Sequence, residues 1–404
     1  MSERAAADIS MTDDLKPGDG YLTPERIMIR DLARQFADEE ITPLANRLDP
    51  ERGDIPRELI TKMGELGFLG ILVPKEYGGL GLGVFEYCLV AEEFSRGWMS
   101  VGSLLARANG FYKFIPGTEA QRRDKIARML RGDYLGAGAF SEPQTGSDLS
   151  NVATRARRDG NEWVITGNKY WCTFADGADC ISVLCRIDAA DAGGKPGTVL
   201  VGVEKPKGEL PNNVTGAPIP KIGYFGWKTW ELRFEGTRAP IYENDVIDGR
   251  GFQTTATMLG TARAHTAARS IGLAQAALDH AIGYAKERVQ FGRPISDFQA
   301  IRFKIATMAT EIEAARQLMY HTCAEMDAGR PASPQISMVK YFASEMSERM
   351  TSEALQILGG AGYTTLHPVE RYWRDARLTK IFEGTSEIQQ RIISDILLGK
   401  PTKP

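Results

Sequence analysis

Neither sign of charge prevails in the sequence: 49 Lys and Arg stand against 52 Asp and Glu, a formal net charge of −3. That balance offers no basic excess for a nucleic-acid partner. The five cysteines, Cys88, Cys172, Cys180, Cys185 and Cys323, are odd in number and include no Cys-x-x-Cys pair. A disulfide framework and a structural zinc site are both disfavoured. The four histidines, His265, His280, His321 and His367, show no ligand spacing, so no metal is expected. No uninterrupted apolar run reaches the length of a membrane span, and the opening segment MSERAAADIS has no apolar signal core. Membrane insertion is therefore not expected, and a cytoplasmic setting is the simplest reading. Internal repeats and low-complexity segments are also missing.

What is present is a chain of 404 residues, 43% hydrophobic and 25% charged, long enough for two or three domains. Its periodicity changes twice. Residues 21–137 read as a helical domain. Thr23-Pro24-Glu25 is a helix start, with a capping hydroxyl, a first-turn proline and an acid near the positive helix end. Met28, Leu32 and Phe36 follow at four-residue spacing and predict one apolar face. Lys75 to Gly83 carries four glycines and reads as a loop, and helical patterns resume at Tyr87–Phe94 and Ala120–Leu130.

Residues 138–253 read as a β domain. Trp163 to Thr166 is a strand, Gly167-Asn168 a turn, and Tyr170 to Thr173 a returning strand. Cys180–Arg186, Thr198–Glu204 and Trp230–Phe234 are further strands, and a small antiparallel barrel or sandwich fits them. Residues 254–400 are helical again. Ile301, Ile305, Met308, Ile312, Ala315 and Met319 form the stripe of a bundle helix, and Ser296 to Gln299 has the capping-box spacing to start it. The fold class is α+β, mainly α: helices, a central β domain and a four-helix bundle.

Two clusters carry chemistry. The loop Phe140-Ser141-Glu142-Pro143-Gln144-Thr145-Gly146-Ser147-Asp148 offers hydroxyls and backbone N–H groups to a polar ligand, although taken alone it reads better as a plain turn. In Ile381-Phe382-Glu383-Gly384-Thr385-Ser386-Glu387-Ile388, the residues Ile388, Ile392 and Ile396 open an amphipathic helix with Thr385 as its N-cap. Glu383 then lies beside a helix N-terminus, where a partly desolvated carboxylate can act as a base. Taken alone, the segment reads better as ordinary capping of a surface helix.

Together with Pro74-Lys75-Glu76-Tyr77-Gly78-Gly79, Lys169-Tyr170-Trp171-Cys172-Thr173, Glu287 to Arg293 and Gln356 to Tyr363, these clusters resemble the acyl-CoA dehydrogenase family in order and spacing, from about Leu22 to Gly399. The resemblance implies FAD held between a β domain and a four-helix bundle, usually in a homotetramer. It places the flavin against Phe140 and Ser141, with Trp171 and Thr173 alongside. It assigns further cofactor contacts to Gly146, Ser147, Phe291, Thr385 and Glu387. Arg288, Gln299, Gln356, Gly359 and Gly360 match positions that reach the cofactor across a subunit boundary. The alternatives are a surface ion pair for Arg288, a capping box for Gln299 and a helix C-cap for the glycines.

The reaction so implied is α,β-dehydrogenation of an acyl-CoA to a trans-2-enoyl-CoA. Glu383 takes the α proton, the flavin takes the β hydride, and electrons pass on to an electron-transfer flavoprotein. Ser147, Arg263 and Gly384 match substrate contacts.

Some positions depart from the family. Gly260 replaces an aspartate that helps hold CoA, although Arg263 remains. Ala262 removes the alternative base position of some branched-chain members and leaves Glu383 as the candidate. Ser141 stands for a commoner threonine, and Cys172 and Phe174 alter the wall near the flavin. Arg107 lies on a pocket-bordering helix in relatives, where it pairs either with a carboxylate at the far end of the acyl chain or with a surface acid. The competing activities on the same fold are an acyl-CoA oxidase using oxygen and a non-dehydrogenase flavoprotein.

Overall fold

A computed structural model describes residues 20–191, 196–242 and 251–401, without the side chains of residues 256 and 257. The segment MSERAAADIS lies outside the described residues. The chain begins with the helices α1 (Pro24–Phe36), α2 (Thr42–Leu48), α3 (Arg57–Glu65), α4 (Val84–Gly97), α5 (Met99–Leu104) and α6 (Glu119–Leu130). Thr23 caps α1 as expected, its hydroxyl accepting from the Arg26 N–H at 3.3 Å. The expected apolar face of α1 is corrected. Met28 is 69% exposed and Leu32 42%, while Ala33 and Phe36 are buried. Phe36 anchors the helix between the rings of Phe68 and Phe94 at 5.6 and 5.4 Å. That anchor selects the Ile29–Ala33–Phe36 line and turns Met28 and Leu32 outward.

The middle of the chain forms one curled sheet from β1 (Gly136–Ala139), β2 (Arg155–Asp159), β3 (Glu162–Thr173), β4 (Cys180–Ile187), β5 (Gly197–Glu204), β6 (Val214–Pro218) and β7 (Thr229–Pro240). The strand order is β1-β4-β2-β3-β7-β6, with β5 on β4. Most pairs are antiparallel, but β1 joins β4 in parallel. The expected turn at Gly167-Asn168 is not a turn. β3 runs through it as one strand, with register shifts between Ile165 and Thr166 and between Lys169 and Cys172. A Cβ on Gly167 would lie 2.6 Å from Thr154 Cα, so this glycine serves a close backbone approach. The second shift leaves Trp171 56% exposed with φ +66°.

The C-terminal helices are α7 (Gly251–Glu287), α8 (Gln299–Asp327), α9 (Ser333–Leu358), α10 (Val369–Thr379) and α11 (Ser386–Leu398). The predicted stripe of α8 is sound: Met308, Ile312, Ala315 and Met319 are buried, and Ile301 and Ile305 pack against the same core. Its predicted capping box does not form. Phe298 is the N-cap, and Ser296 lies in a preceding 3₁₀ turn whose backbone bonds already fix the entry. α7, α8 and α9 pack together, α10 rests on α7 and α9, and α11 rests on α9. One continuous apolar core joins these helices to the N-terminal ones, and the sheet has its own core.

A buried ion pair ties the loop after β1 to the sheet. Lys169, on β3, donates to Glu142 Oε1 at 2.9 Å and to the Phe140 carbonyl at 3.0 Å. Glu142 also accepts from the N–H groups of Ala153 and Thr154 at 2.7 and 2.8 Å. Burial opposes ionisation of Glu142, but these N–H groups and the Lys169 charge outweigh it and hold the carboxyl below its usual range. Removing one partner of such a pair leaves the other charge buried alone, which costs about 3–5 kcal/mol. Lys169→Met is therefore expected to lower unfolding stability by about that amount. Urea unfolding followed by tryptophan fluorescence measures it, and a loss under about 1 kcal/mol would show the pair to be dispensable.

Candidate active site

Glu383 sits on the turn between α10 and α11 with φ +57°, and Gly384 follows at φ +90°. A non-glycine residue in this left-handed region costs about 1–3 kcal/mol and persists only where its surroundings enforce it. The surroundings here are three. Thr385 caps α11, its hydroxyl accepting from the Ile388 N–H at 3.3 Å, as the sequence predicted. The Gly384 carbonyl accepts from Lys340 Nζ at 2.7 Å and from Gln389 Nε2 at 2.9 Å. The Ser386 N–H donates to the Lys380 carbonyl at 3.0 Å. Lys340 is wholly buried on α9, and desolvation pulls its pKa down to about 8 against the attraction of Glu383.

The Glu383 carboxylate meets Arg269 of α7, whose Nη2 donates to Oε1 at 3.0 Å. Glu383 Oε2 is buried and has no hydrogen-bond partner. Arg269 is held on every side. It donates to Ser103 Oγ at 2.6 Å, to Thr266 Oγ1 at 2.8 Å and to the His265 carbonyl at 3.4 Å, and its guanidinium carbon lies 4.6 Å from the centroid of the Phe382 ring. His265 stacks on Tyr87 at 4.6 Å and shares a 3.0 Å hydrogen bond with the Gly102 carbonyl. Burial, with Arg269 nearby, pushes the imidazole well below its ordinary pKa, so it stays neutral near pH 7.

An aromatic wall runs away from the base. Phe382 meets Tyr224 at 6.0 Å, Tyr224 meets Trp227 at 5.3 Å, and Trp227 meets Phe174 at 5.7 Å. Arg107 follows α5, with its guanidinium carbon 5.1 Å from the centroid of the Trp227 ring. Its Nε is buried without a partner, and among the described residues no acid pairs with it. The surface-acid alternative is thus set aside. Arg263, on α7, also has a buried, unpartnered Nε; desolvation lowers its pKa while Glu383 pulls the other way. The structure therefore gathers Glu383, Gly384, Arg263 and Arg107 around one region. Cys172 is buried in the sheet core, and burial pushes its thiol up to about 12.

The remaining predicted positions are mostly exposed rather than convergent on Glu383. Phe140 and Ser141 are half-buried after β1, and their carbonyls accept from Lys169 Nζ and the Tyr170 N–H. Gly146 and Ser147 lie on the open part of that loop, and Thr173 bonds Thr229 through their hydroxyls at 3.1 Å. Arg288, Phe291, Gln299, Gln356 and Glu387 are exposed. Among the described residues, no ion pair or side-chain hydrogen bond occupies Arg288, Gln299 or Gln356. Gly359 is the C-cap of α9, as its plainer alternative had it, and Gly360 follows with nothing within 4 Å of an added Cβ. No described cluster of His, Cys, Asp and Glu is placed to hold a metal, and no described helix is long and apolar enough to cross a membrane.

Comparison with known proteins decides the lineage. Residues 23–133, 137–237 and 249–398 match the N-terminal, middle and C-terminal domains of acyl-CoA dehydrogenase. The chain belongs to the acyl-CoA dehydrogenase family. It is 39% identical to a 3-(aryl)acrylate reductase of Clostridium sporogenes, over 94% of this chain and 100% of that one. It is 37% identical to a (2S)-methylsuccinyl-CoA dehydrogenase of Cereibacter sphaeroides, over 94% of this chain and 71% of that one. A solved structure from work on the electron transferring flavoprotein of Acidaminococcus fermentans superposes with a TM-score of 0.85 at 36% identity, over 94% and 99% of the two chains. Membership makes this chain an oxidoreductase acting on acyl-CoA, within a family of flavoproteins.

Two residues of this acyl-CoA dehydrogenase site escape a motif reading: Arg269 and Lys340. Arg269 had a signal in the sequence, since it puts a charged side chain into an alanine-rich helical run, Ala264 to Ala281, most of which is buried. A third support is Asp375 of α10, whose Oδ1 accepts from the Tyr224 N–H at 2.6 Å and fixes that aromatic at φ +59°. Burial, reinforced by Asp49, raises the Asp375 carboxyl to about 7. A free carboxyl titrates near 3.9, so the folded state keeps a proton that the unfolded state has released between about pH 4 and 7. Stability from this group is complete below about pH 4 and lost as pH rises through 7. Asp375→Asn should remove that component, so the variant gains on wild type between pH 4.5 and 7.5. Melting temperatures at about those two pH values test it, and a constant difference would refute the assignment.

Proposed function

We propose that this chain is an FAD-dependent dehydrogenase that converts an acyl-CoA thioester to its trans-2-enoyl form, with Glu383 removing the α proton. The observation that carries the reading is the Glu383 carboxylate itself, fixed on an enforced backbone turn with one oxygen buried and unpartnered. A base needs a fixed direction and a free lone pair, and Oε2 has both.

The residues present fit FAD. Trp171 shows a broad exposed face at the rim of the sheet, Gly146 and Gly360 leave open backbone, and Thr385 heads a helix whose N-terminus favours anions. Phe140, Ser141, Gly146, Ser147, Trp171, Thr173, Thr385 and Glu387 would hold it within one subunit. Arg288, Phe291, Gln299, Gln356, Gly359 and Gly360 would reach it from a neighbour, which explains side chains that are exposed and unoccupied here. When bound, FAD supplies the hydride acceptor that the side chains lack. Arg263, Ser147 and Gly384 would meet the thioester and CoA portions. An electron-transfer flavoprotein is the proposed acceptor, supported by the Acidaminococcus likeness, and the proposed setting is cytoplasmic.

A substituted or carboxylated acyl chain is the substrate class we favour. Arg107 supports it, because an arginine with a buried, unpartnered Nε and no acid beside it is costly unless a ligand meets it. The methylsuccinyl-CoA activity named for one relative agrees.

The purified protein is expected to release FAD on denaturation. Glu383→Gln should retain it and lose anaerobic flavin bleaching by acyl-CoA by about 10²–10⁴-fold in rate. Near-normal bleaching in that variant would place the base elsewhere. A subunit-shared site also requires an oligomer. Light scattering should report a tetramer, and a monomer that holds FAD tightly would contradict the roles of Arg288 and Gln356.

A further inference from the structure

Arg269 sits midway along α7 with its side chain 2% exposed. Its other hydrogen-bond partners, Ser103, Thr266 and the His265 carbonyl, are neutral, so Glu383 is its one anionic partner among the described residues. The reaction proposed above protonates that partner. When Glu383 takes the α proton, its negative charge passes to the substrate's enolate oxygen and, with the hydride, to the acceptor, so Arg269 loses the anion bonded directly to it. The neighbours make this worse. Arg263 and Lys340 lie within electrostatic reach of Glu383, and Arg107 acts on the same Tyr87 and Tyr224 as Arg269 does. His265 and the two tyrosines contribute no negative charge near pH 7. Glu345 lies within electrostatic reach of Lys340 and offsets it, so with Arg263 assigned to the CoA portion, Arg269 and Arg107 are left to share the Glu383 carboxylate.

We propose that Arg269 is a specificity-determining residue that receives a carboxylate carried by the acyl chain close to the reacting carbons, as in a succinyl-type dicarboxylic acyl-CoA. The inference rests on Glu383 being the α-proton base. Its geometry sets the chain length. The Arg269 guanidinium lies 3.0 Å from the base's own oxygen, so a carboxylate bonded to it must sit near the α carbon that the base attacks. One or two further carbons satisfy that, and a long dicarboxylic chain overreaches toward Trp227 and Arg107. The Ser103 and Thr266 hydroxyls flank the same guanidinium and can turn to donate to the incoming carboxylate. The substrate anion keeps Arg269 paired throughout, first beside ionised Glu383 and then beside its protonated form.

The test compares methylsuccinyl-CoA, adipoyl-CoA and butyryl-CoA in anaerobic flavin bleaching by the FAD-loaded protein. Wild type should prefer methylsuccinyl-CoA. In Arg269→Met the ratio of kcat/KM for methylsuccinyl-CoA to that for butyryl-CoA should fall on the order of 10²-fold, with partial recovery in Arg269→Lys. Calorimetric binding of methylsuccinyl-CoA to Glu383→Gln, which does not turn over, should weaken on adding Arg269→Met. A purely structural role would depress both substrates alike and leave the ratio unchanged, which overturns the proposal. So would an adipoyl-CoA preference sensitive to Arg107→Met alone. If Arg269→Met fails to fold, the same ratio in Arg269→Lys decides. Bleaching of wild type by butyryl-CoA but by neither dicarboxylic thioester sinks this inference and leaves the dehydrogenase reading standing. No bleaching by any thioester sinks that reading itself.

Discussion

The close approach of α4 to α7 is the constraint on which the active region depends. Gly272 makes it possible, since a Cβ there would lie 2.2 Å from the Glu92 carbonyl oxygen. His265, Arg269 and Gly272 fall on one line of α7 at spacings of four and three, so all three face the side formed by α4 and α5. The first meets Gly102, the second Ser103 and the third Glu92. Buried alanines at 264, 267, 268, 274 and 277 let further helices close around α7. Glu92 is itself fixed by Arg316 of α8 at 2.8 Å. Helix packing at this distance decides that Arg269 points at the base and not at solvent.

The base turn is rigid for a complementary reason. Its backbone conformation is unfavourable for glutamate, so it must be imposed from both sides. α9 imposes it through Lys340, α11 through Thr385 and Gln389, and the three contacts bracket Gly384 rather than the glutamate side chain. The carboxylate is thereby aimed by backbone restraints and left chemically free at one oxygen. The Glu383 side chain reaches α7, where it meets Arg269.

Much of this was legible in the sequence, and the failures have physical causes. Thr23 and Thr385 were readable as caps because capping is local: a hydroxyl and an N–H three residues on. The α8 stripe was readable because a long helix averages its period over many turns. The hairpin at Gly167-Asn168 misled because a glycine needed for a close backbone approach has the same letters as a turn glycine. Met28 and Leu32 misled because two adjacent lines of α1 are apolar, and the choice between them was made by Phe68 and Phe94, far along the chain. Glu383 could be named from its motif, but Arg269 belongs to no motif and meets the base across 114 positions of sequence. Only the packing of α7 against α5 and the base turn brings them together.

Two buried ion pairs in the same molecule show how a structural pair differs from one that awaits a ligand. Glu142 has both oxygens filled, Oε1 by Thr154 and Lys169 and Oε2 by Ala153 and Gln144. Nothing can be added there, and protonating that carboxyl would only break the loop from the sheet. Glu383 has one oxygen filled and one empty, and empty donors on Arg107 and Arg263 lie in the same region. Unmade bonds of buried polar atoms are expensive, and a folded protein keeps few of them without cause. At Glu383 the free oxygen lies within electrostatic reach of an arginine that also has a free Nε, Arg263, an opening that Glu142 does not have. The two carboxylates also meet their cations differently. Lys169 is a point charge that neutralises Glu142, whereas Arg269 presents a planar fork that holds Glu383, Ser103, Thr266 and the His265 carbonyl through four of its five N–H groups.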